Sequence, residues 1–408
     1  MKKVVVLGAG YAGLHFIEKF QKRVDPAAVQ IILVDQNDYH YQTTEIHQVA
    51  VGKTKPEQIS YPIRDILNSE MTTFVQDRVL KIDPENKRVL LQKHAPIDYD
   101  YCILSLGFAS ETYGIPGAQQ NTLPLTNVKD ALAILAHFQK VADHYRKFHD
   151  PQDLQILICG MGYTGIELAG EINDIKPQLA KMAGCESKDI KITLINSLTR
   201  LLQQFDPKVA HYGVHTLTHL GIKIIPGATI KQIFPGVVNY VHTNDQTGQR
   251  HQLKGHTILW TTGVRGSQVI DDSGFANHHG RIKVTKHLTV PGHDELYSLG
   301  DVASVINPER AGEKYYSPSA QIALSMASFA ARDLAGRLNG RPQKADYKYC
   351  WLGTVVSIGN THAFGRALGV NVTGRSASVM KKLIADKSLY QVGGVGKMMK
   401  LGQFDLYH

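Results

Sequence analysis

The chain has 408 residues, more than a single hydrophobic core accommodates, so at least two domains are expected. Its composition, 43% hydrophobic and 20% charged, is that of an ordinary globular protein and excludes collagen-like, disordered and coiled-coil classes. Forty-five basic against 36 acidic residues give +9, which favours anionic partners without choosing among phosphates, nucleic acid and lipid headgroups.

The opening Met1-Lys2-Lys3 followed by Val4-Val5-Val6-Leu7 imitates a signal peptide, but the apolar run breaks at Gly8, and the segment reads as a cytoplasmic N-terminus. Val4 to Leu7 is a buried-strand pattern running into Gly8-Ala9-Gly10-Tyr11-Ala12-Gly13 and then a helical stretch from Leu14 to Arg23. In such a turn the first glycine makes the bend, the second admits a pyrophosphate against bare backbone, and the third lets helix pack on strand. The phosphates then meet the free N–H groups of the helix N-terminus. The following strand, Ile31 to Val34, ends in Asp35, 22 positions after Gly13, where a carboxylate accepts hydrogen bonds from ribose hydroxyls.

Tyr101 to Leu106 reads as a strand ending in Gly107, and a second strand-turn-helix unit follows. Ile156 to Cys159 runs into Gly160-Met161-Gly162-Tyr163-Thr164-Gly165 and a helical pattern beginning Ile166-Glu167-Leu168-Ala169. Its next strand, Ile190 to Ile195, ends at Asn196 where a carboxylate is usual. The amide still bonds a ribose hydroxyl and repels a 2′-phosphate less, so the choice between NADH and NADPH stays open. Ile258 to Thr262 repeats the strand ending in glycine at Gly263, and Leu296 to Leu299 leads into Gly300-Asp301.

The duplication predicts an α/β protein of two Rossmann-like dinucleotide-binding domains, the second inserted in the first: residues 1–117 and 286–338 for one, 118–285 for the other. A helix over 319–337 and the break Asn339-Gly340-Arg341-Pro342 precede a distinct C-terminal region, 339–408. From Arg375 onward, Arg375, Lys381, Lys382, Lys387, Lys397 and Lys400 face Asp386 and Asp405, a local charge of +4. Val379, Met380, Leu383, Ile384 and Tyr390 recur at helical spacing with Lys381 and Lys382 to one side, and Met398, Met399, Leu401 and Phe404 form a second apolar cluster. Amphipathicity alone favours a helix packed on its own domain. No stretch reaches the roughly 18 apolar residues of a spanning helix, so any membrane contact is expected to be peripheral. Cys102, Cys159, Cys185 and Cys350 lie far apart without zinc-like spacing, which argues against a disulfide framework or a structural metal; Cys159 and Cys350 read as buried small hydrophobes.

Over essentially its whole length the chain resembles the two-dinucleotide-binding-domain flavoproteins, and within them the type II NADH:quinone oxidoreductases. The resemblance is carried by the two glycine turns, Asp35, Ser105-Leu106-Gly107, Thr164 to Glu171, Trp260 to Arg265, Leu299-Gly300-Asp301 and Ser319 to Ala323. Ala320-Gln321 and Leu389 to Gly394 point to the quinone-reducing branch. It implies FAD in the first domain and NADH in the second, with cofactor-binding positions Gly8, Gly10, Gly13, Asp35, Gly107, Gly160, Gly162, Gly165, Asn196, Gly263, Gly300, Asp301, Ala320 and Gln321. Asp35 is expected on the adenosine ribose and Asp301 on the ribityl chain or the pyrophosphate side of FAD. Glu167 matches the family's acidic residue near nicotinamide and flavin, able to relay a proton if burial raises its pKa; Gln321 matches the residue whose amide reaches a quinone carbonyl.

The resemblance further implies a homodimer docked by C-terminal helices on the anionic cytoplasmic face of a membrane, with menaquinone or another quinone as acceptor. Without spanning segments no proton pumping is expected, and since the basic residues do not cluster with stacking aromatics in a known motif, no nucleic-acid partner is expected either. Disulfide-reducing relatives carry a redox cysteine soon after the first acidic strand, and residues 36–52 have none, so electrons are expected to leave for an external acceptor. Two departures stand out: Ser325 where the family often has a second Gln, and Tyr39 to Glu45 where many relatives have a Pro-Leu-Leu run. The rivals are a sulfide:quinone oxidoreductase, which needs reactive cysteines beside the flavin, and a slow-turnover NADH-sensing flavoprotein.

Overall fold

The computed structural model describes residues 1–245, 247–308, 315–341 and 345–402. Strand β1 (Lys2–Leu7) turns through Gly8 into helix α1 (Tyr11–Gln21) and returns as β2 (Val29–Asp35). Helix α1 starts three residues before the expected Leu14 because the end of the glycine turn already lies in its first turn, with Gly10 as its N-cap. A short helix α2 (Ile46–Ala50), β3 (Thr72–Gln76) and β4 (Tyr101–Leu104) follow.

The second unit opens with β5 (Leu123–Pro124) and the long helix α3 (Val128–Phe148), capped by the Asn127 side chain, which accepts from the Asp130 N–H. It continues as β6 (Gln155–Cys159), α4 (Tyr163–Asp174), β7 (Lys191–Ile195), α5 (Pro207–His219), β8 (Lys223–Ile225) and β9 (Thr257–Trp260). An antiparallel three-stranded sheet over Ala228–Phe234, Val237–His242 and Arg250–Lys254 lies between β8 and β9. The chain then supplies β10 (Thr289–Val290), β11 (His293–Ser298) and helix α6 (Ala320–Leu338).

Two main sheets result. One has the order β10-β11-β4-β1-β2-β3, parallel except for the β10–β11 pair, with Val4 opposite both Ile31 and Tyr101. The other, β5-β9-β6-β7-β8, is wholly parallel, with Ile158 opposite Leu194 and Leu259. Val4 to Leu7 and Ile156 to Cys159 are buried on both faces, as strands covered by helices on either side must be. Strand β11 pairs with β4 although the strands of the second sheet lie between them in sequence.

The C-terminal region is more structured than its sequence pattern conveys. It forms β12 (Gly353–Ile358), β13 (His362–Ala367) and β14 (Val370–Thr373), an antiparallel sheet, before helix α7 (Gly374–Leu401), which breaks at Gly394, φ 73°. Val356, Ile358 and Phe364 join the core of the second unit, while Leu389 and Val392 of α7 pack into the core shared by α1 and α6. Gly170 in α4 makes the sheet contact possible: a Cβ there would lie 2.3 Å from the Gly359 nitrogen. Phe404 and Asp405 lie outside the described residues.

Candidate functional site

The two glycine turns have the same construction, atom for atom. Gly8 has φ +100°, and a Cβ on Gly13 would sit 1.9 Å from the Gly8 carbonyl oxygen. Gly160 has φ +113°, and a Cβ on Gly165 would sit 2.1 Å from the Gly160 oxygen. The middle glycines differ from these: at Gly10 and Gly162 an added Cβ meets nothing within 4 Å. Each turn is therefore braced by its outer glycines and open over its middle one, at a helix N-terminus whose N–H groups suit a phosphate.

A hydroxyl clasp closes each turn from the neighbouring strand. Ser105 Oγ donates to the Leu7 oxygen at 2.8 Å and lies 3.2 Å from the Gly8 oxygen; Thr261 Oγ1 lies 3.0 Å from both the Cys159 and Gly160 oxygens. The sequence carries this signal, since Ser105 and Thr261 each stand two residues before a strand-ending glycine, Gly107 and Gly263. Gly107 takes φ +68° with open space around it, whereas the space beside Gly263 is filled by Tyr113.

Around the first cradle, Asp35 accepts the Ala9 N–H at 2.6 Å and the Asn37 N–H at 2.8 Å; burial still raises its carboxyl above the ordinary range against these donors. Gly300 (φ +68°) brings the backbone against Ala12 and Ala323. Asp301 has its carboxyl raised by burial, with Arg281 opposing. Arg281 was not singled out by the sequence: it donates from Nη2 to the Val264 oxygen at 2.8 Å, while its buried Nε has no hydrogen-bond partner among the described residues. Around the second cradle, the Asn196 amide donates to the Leu198 oxygen at 2.9 Å, which leaves Oδ1 to accept, and the buried Thr262 hydroxyl has no hydrogen-bond partner among the described residues. Open middle glycines and buried donors without partners fit an anionic, hydroxyl-bearing ligand at each turn. The Tyr39 to Glu45 segment places His40 between the rings of Tyr11 and Tyr61, with Nδ1 donating to the Ala9 oxygen at 2.8 Å.

Glu167 is buried near the start of α4, and its partner is Lys381 of α7, whose Nζ lies 2.7 Å from Oε1. The Ser357 hydroxyl and N–H reach the same oxygen at 3.3 and 3.4 Å. Burial pushes the Glu167 carboxyl up, but the Lys381 charge and the nearby His47 more than offset it, so the pKa falls below its ordinary value. The condition attached to a proton relay at Glu167, a carboxyl raised by burial, thus meets a lowered pKa instead. Lys381, counted in sequence among the basic residues of the C-terminal segment, is drawn inward, and its ammonium is held charged by Glu167 and Glu45 against the cost of burial. Behind the pair, His47 lies 3.9 Å from Glu171, which pairs with Lys53 at 2.5 Å, and Lys53 reaches Asp174 at 2.6 Å.

At the head of α6, whose N-cap is Ser319, Ala320 is the first helical residue and Gln321 the second. Gln321 Oε1 accepts from the Tyr349 hydroxyl at 2.5 Å and the Leu352 N–H at 3.1 Å. Its NH₂ group has no hydrogen bond among the described residues. Ser325, one turn on, receives the Tyr347 hydroxyl at 3.1 Å, so the C-terminal segment spans both positions. All four cysteines are free: Cys102 and Cys159 are buried, and burial pushes the Cys159 thiol up to about 12. Cys350, expected to be buried, is exposed beside the exposed Trp351.

Residues 2–327 match the pyridine nucleotide-disulphide oxidoreductase family. A type II NADH:quinone oxidoreductase of Staphylococcus haemolyticus is 34% identical over 407 residues, covering 99% of each chain. The chain belongs to the type II NADH:quinone oxidoreductases. A Staphylococcus aureus member of this family is 33% identical over 406 residues, again covering 99% of both chains. Among solved structures, the fold is similar to NDH2 from Plasmodium falciparum in complex with NADH, TM-score 0.86 at 16% identity, covering 98% of this chain and 97% of that one. It is also similar to the sulfide:quinone oxidoreductase of Aquifex aeolicus, TM-score 0.79 at 18% identity, covering 96% and 92%. At these identities the structures speak to the fold, which this type II NADH:quinone oxidoreductase shares with both.

Proposed function

We propose that this chain passes two electrons from NADH through FAD to a quinone at a membrane surface, without pumping protons. The observation that carries the reading is the pair of equivalent glycine cradles in one polypeptide that offers no cysteine at 36–52 to receive electrons. Together with full-length kinship to NADH:quinone oxidoreductases, this assigns FAD to the cradle of Gly8, Gly10 and Gly13, and NADH to that of Gly160, Gly162 and Gly165. The corresponding domains are residues 1–117 with 286–338, and the inserted 118–285.

The two cofactors supply the hydride chemistry; the protein supplies position, charge and the exclusion of water. Gly10 and Gly162 give each pyrophosphate bare backbone. Asp35 and Asn196 Oδ1 accept from the riboses. Asp301 accepts from the ribityl side of FAD, and Arg281, through its unpartnered Nε, meets the cofactor's negative charge. Gln321, its oxygen fixed by Tyr349 and Leu352, donates its NH₂ to a quinone carbonyl. At neutral pH Glu167 is an anion, so the mobile proton of the buried pair resides on Lys381 Nζ.

Attachment to the membrane is assigned to α7. Ala385, Leu389 and Val392 face inward, while Leu383, Ile384, Tyr390, Val395 and Met399 are exposed beside Arg375, Lys387 and Lys400. Among the described residues no helix is long and apolar enough to cross a membrane, which supports a peripheral mode and leaves no route for a transmembrane proton channel. The family pattern adds a homodimer on the cytoplasmic face and a respiratory acceptor such as menaquinone. Anaerobic stopped-flow tests the whole reading. NADH should bleach the flavin, and menaquinone or ubiquinone analogues should restore it. Bleaching by sulfide but not by NADH, or slow reoxidation by every quinone, would overturn it in favour of a sulfide oxidase or a sensor.

A further inference from the structure

We propose that His144, Asp153 and His256 form a binding site for one divalent transition-metal ion of the zinc type, at the end of the second sheet remote from its glycine turn. His144 lies near the end of α3, Asp153 in the 3-10 turn Pro151–Leu154 that leads into β6, and His256 immediately before β9. Each offers one ligand atom, and these atoms all lie within 4.8 Å of one another. Cysteine spacing is silent about such a site, because three separate segments build it from imidazole and carboxylate alone.

The centre of the cluster is a carboxylate in an unusual position. The Asp153 side chain is only 1% exposed, yet no Lys or Arg pairs with it among the described residues. Its partners are two imidazoles: His144 Nδ1 lies 2.6 Å from Oδ2 and His256 Nδ1 lies 2.8 Å from Oδ1. A buried carboxylate flanked by two imidazoles and by no Lys or Arg is a place where a divalent cation adds a favourable charge partner. Two imidazoles and one carboxylate are the donor set that borderline ions of the zinc type prefer.

The geometry needs little change to close on an ion. Ligands at about 2.0 Å from a tetrahedral zinc lie about 3.3 Å apart, so the gap between His144 and a ligating Asp153 Oδ2 opens by roughly half an ångström or slightly more, while ligand atoms now up to 4.8 Å apart draw together to that spacing. A ring that ligates through Nδ1 carries its proton on Nε2. Asp150 Oδ2, 3.9 Å from His256 Nε2, is placed to receive that ring's Nε2 proton, the outer-shell carboxylate that metal-binding histidines commonly have. His144 and His256 keep 42% and 33% of their side-chain surface exposed, which gives the ion an approach from solvent and a water as fourth ligand.

The site lies away from the redox centre. β6 and β9 both begin at it, whereas their glycine turns lie at the opposite ends, after Cys159 and Trp260. A bound ion would therefore tie the end of α3 to the starts of two central strands and act on stability instead of turnover.

The experiment is a calorimetric titration of the flavin-loaded protein with zinc chloride in a non-chelating buffer, with the thermal midpoint recorded in parallel. One rival must be removed first. His211, His215 and His219 project from α5 at four-residue spacing with adjacent ring centroids 6.1 Å apart, a surface chelate in their own right. In a His215→Ala background one zinc per chain should still bind at micromolar concentration and raise the midpoint. Adding His256→Gln should weaken binding at least tenfold, and His144→Gln with His256→Gln should abolish it, with NADH-dependent quinone reduction unchanged. No micromolar binding in the wild type, loss of binding with His215→Ala alone, or binding that survives the double substitution would each overturn the proposal.

Discussion

Lys381 of the C-terminal helix and Glu167 of the second glycine-turn helix form a buried ion pair, 2.7 Å from Nζ to Oε1. The pair joins the C-terminal helix to the helix that follows the second glycine turn. Because Glu167 is buried and the Lys381 side chain is only 20% exposed, the pair is more a constraint on geometry than a source of stability. Its value to the protein lies in fixing where α7 sits and which protonation state Glu167 holds.

Lys381→Met should therefore cost more than loss of a surface cation. An uncompensated carboxylate is left in the interior, at a cost of about 3–5 kcal/mol. Adding Glu167→Gln should recover much of that loss, and a double-mutant cycle on chemical denaturation would measure the coupling. The sign of the pH effect follows from the depressed carboxyl. In the wild type the pair's contribution is present above the ordinary glutamate value of 4.5 and is lost as pH falls through the lower folded value. With Lys381→Met the carboxyl is raised, and mild acid should stabilise instead.

The glycine turn permits a sharper separation of folding from binding. Gly162 has φ −75° and nothing within 4 Å of an added Cβ, so Gly162→Ala should leave stability unchanged or raise it by up to about 1 kcal/mol. The methyl does, however, occupy the space given to the pyrophosphate. The KM for NADH should rise roughly tenfold or more, a loss of about 1.4 kcal/mol of binding. Gly165→Ala should do the reverse, because its Cβ meets the Gly160 oxygen at 2.1 Å and backbone has nowhere to move. A thermal midpoint and an NADH titration on both variants check the contrast.

What could be read from the sequence was local and periodic. The glycine turns, the strand-ending Asp35 and Asn196, and the hydroxyls of Ser105 and Thr261 sit at fixed offsets within single strand-turn-helix units, where spacing dictates geometry. Lys381 escaped because its partner is far off in sequence, and an amphipathic helix shows which residues share a face but not which face turns inward. Its inward stripe runs through Ala385, Leu389 and Val392, so the charge at 381 follows the buried side. The small C-terminal sheet was missed for a related reason: Gly353 in β12, Gly359 between the strands and Gly365 in β13 read as breaks, although Gly353 and Gly365 admit close backbone approach from the paired strand.

His40 gives a pH dependence of its own. The ring is fully enclosed and donates only to the Ala9 oxygen, and burial lowers its pKa from 6.5 to about 4. Unfolded chains take up the proton below 6.5, and folded chains only below about 4, so stability falls as pH drops between the two. From pH 7 to pH 5 this site should remove about 2 kcal/mol. His40→Gln keeps a donor for Ala9 without titrating, and the difference between wild-type and variant midpoints should shrink over that interval. Parallel curves would show that the ring does not carry the acid sensitivity.

Membrane attachment is best tested by substitution within α7. Removing residues 376–408 would also strip Lys381 from Glu167 and pull Leu389 and Val392 out of the α1–α6 core, so loss of binding could reflect unfolding. Leu383, Ile384 and Met399 are exposed and touch neither arrangement. Each contributes about 1.5–3 kcal/mol when fully buried in an apolar phase, whereas the outward cations contribute about 1 kcal/mol apiece near anionic lipid. Lys381 and Lys397 are already paired, to Glu167 and Asp65, so the electrostatic share is smaller than the net charge of the segment implies. Converting Leu383, Ile384 and Met399 together to Gln should release the protein from anionic vesicles while FAD content and thermal midpoint hold. Raising salt on the wild type should release only part of it. Complete release by salt, with the triple variant still bound at low ionic strength, would assign attachment to charge and not to the apolar face of α7.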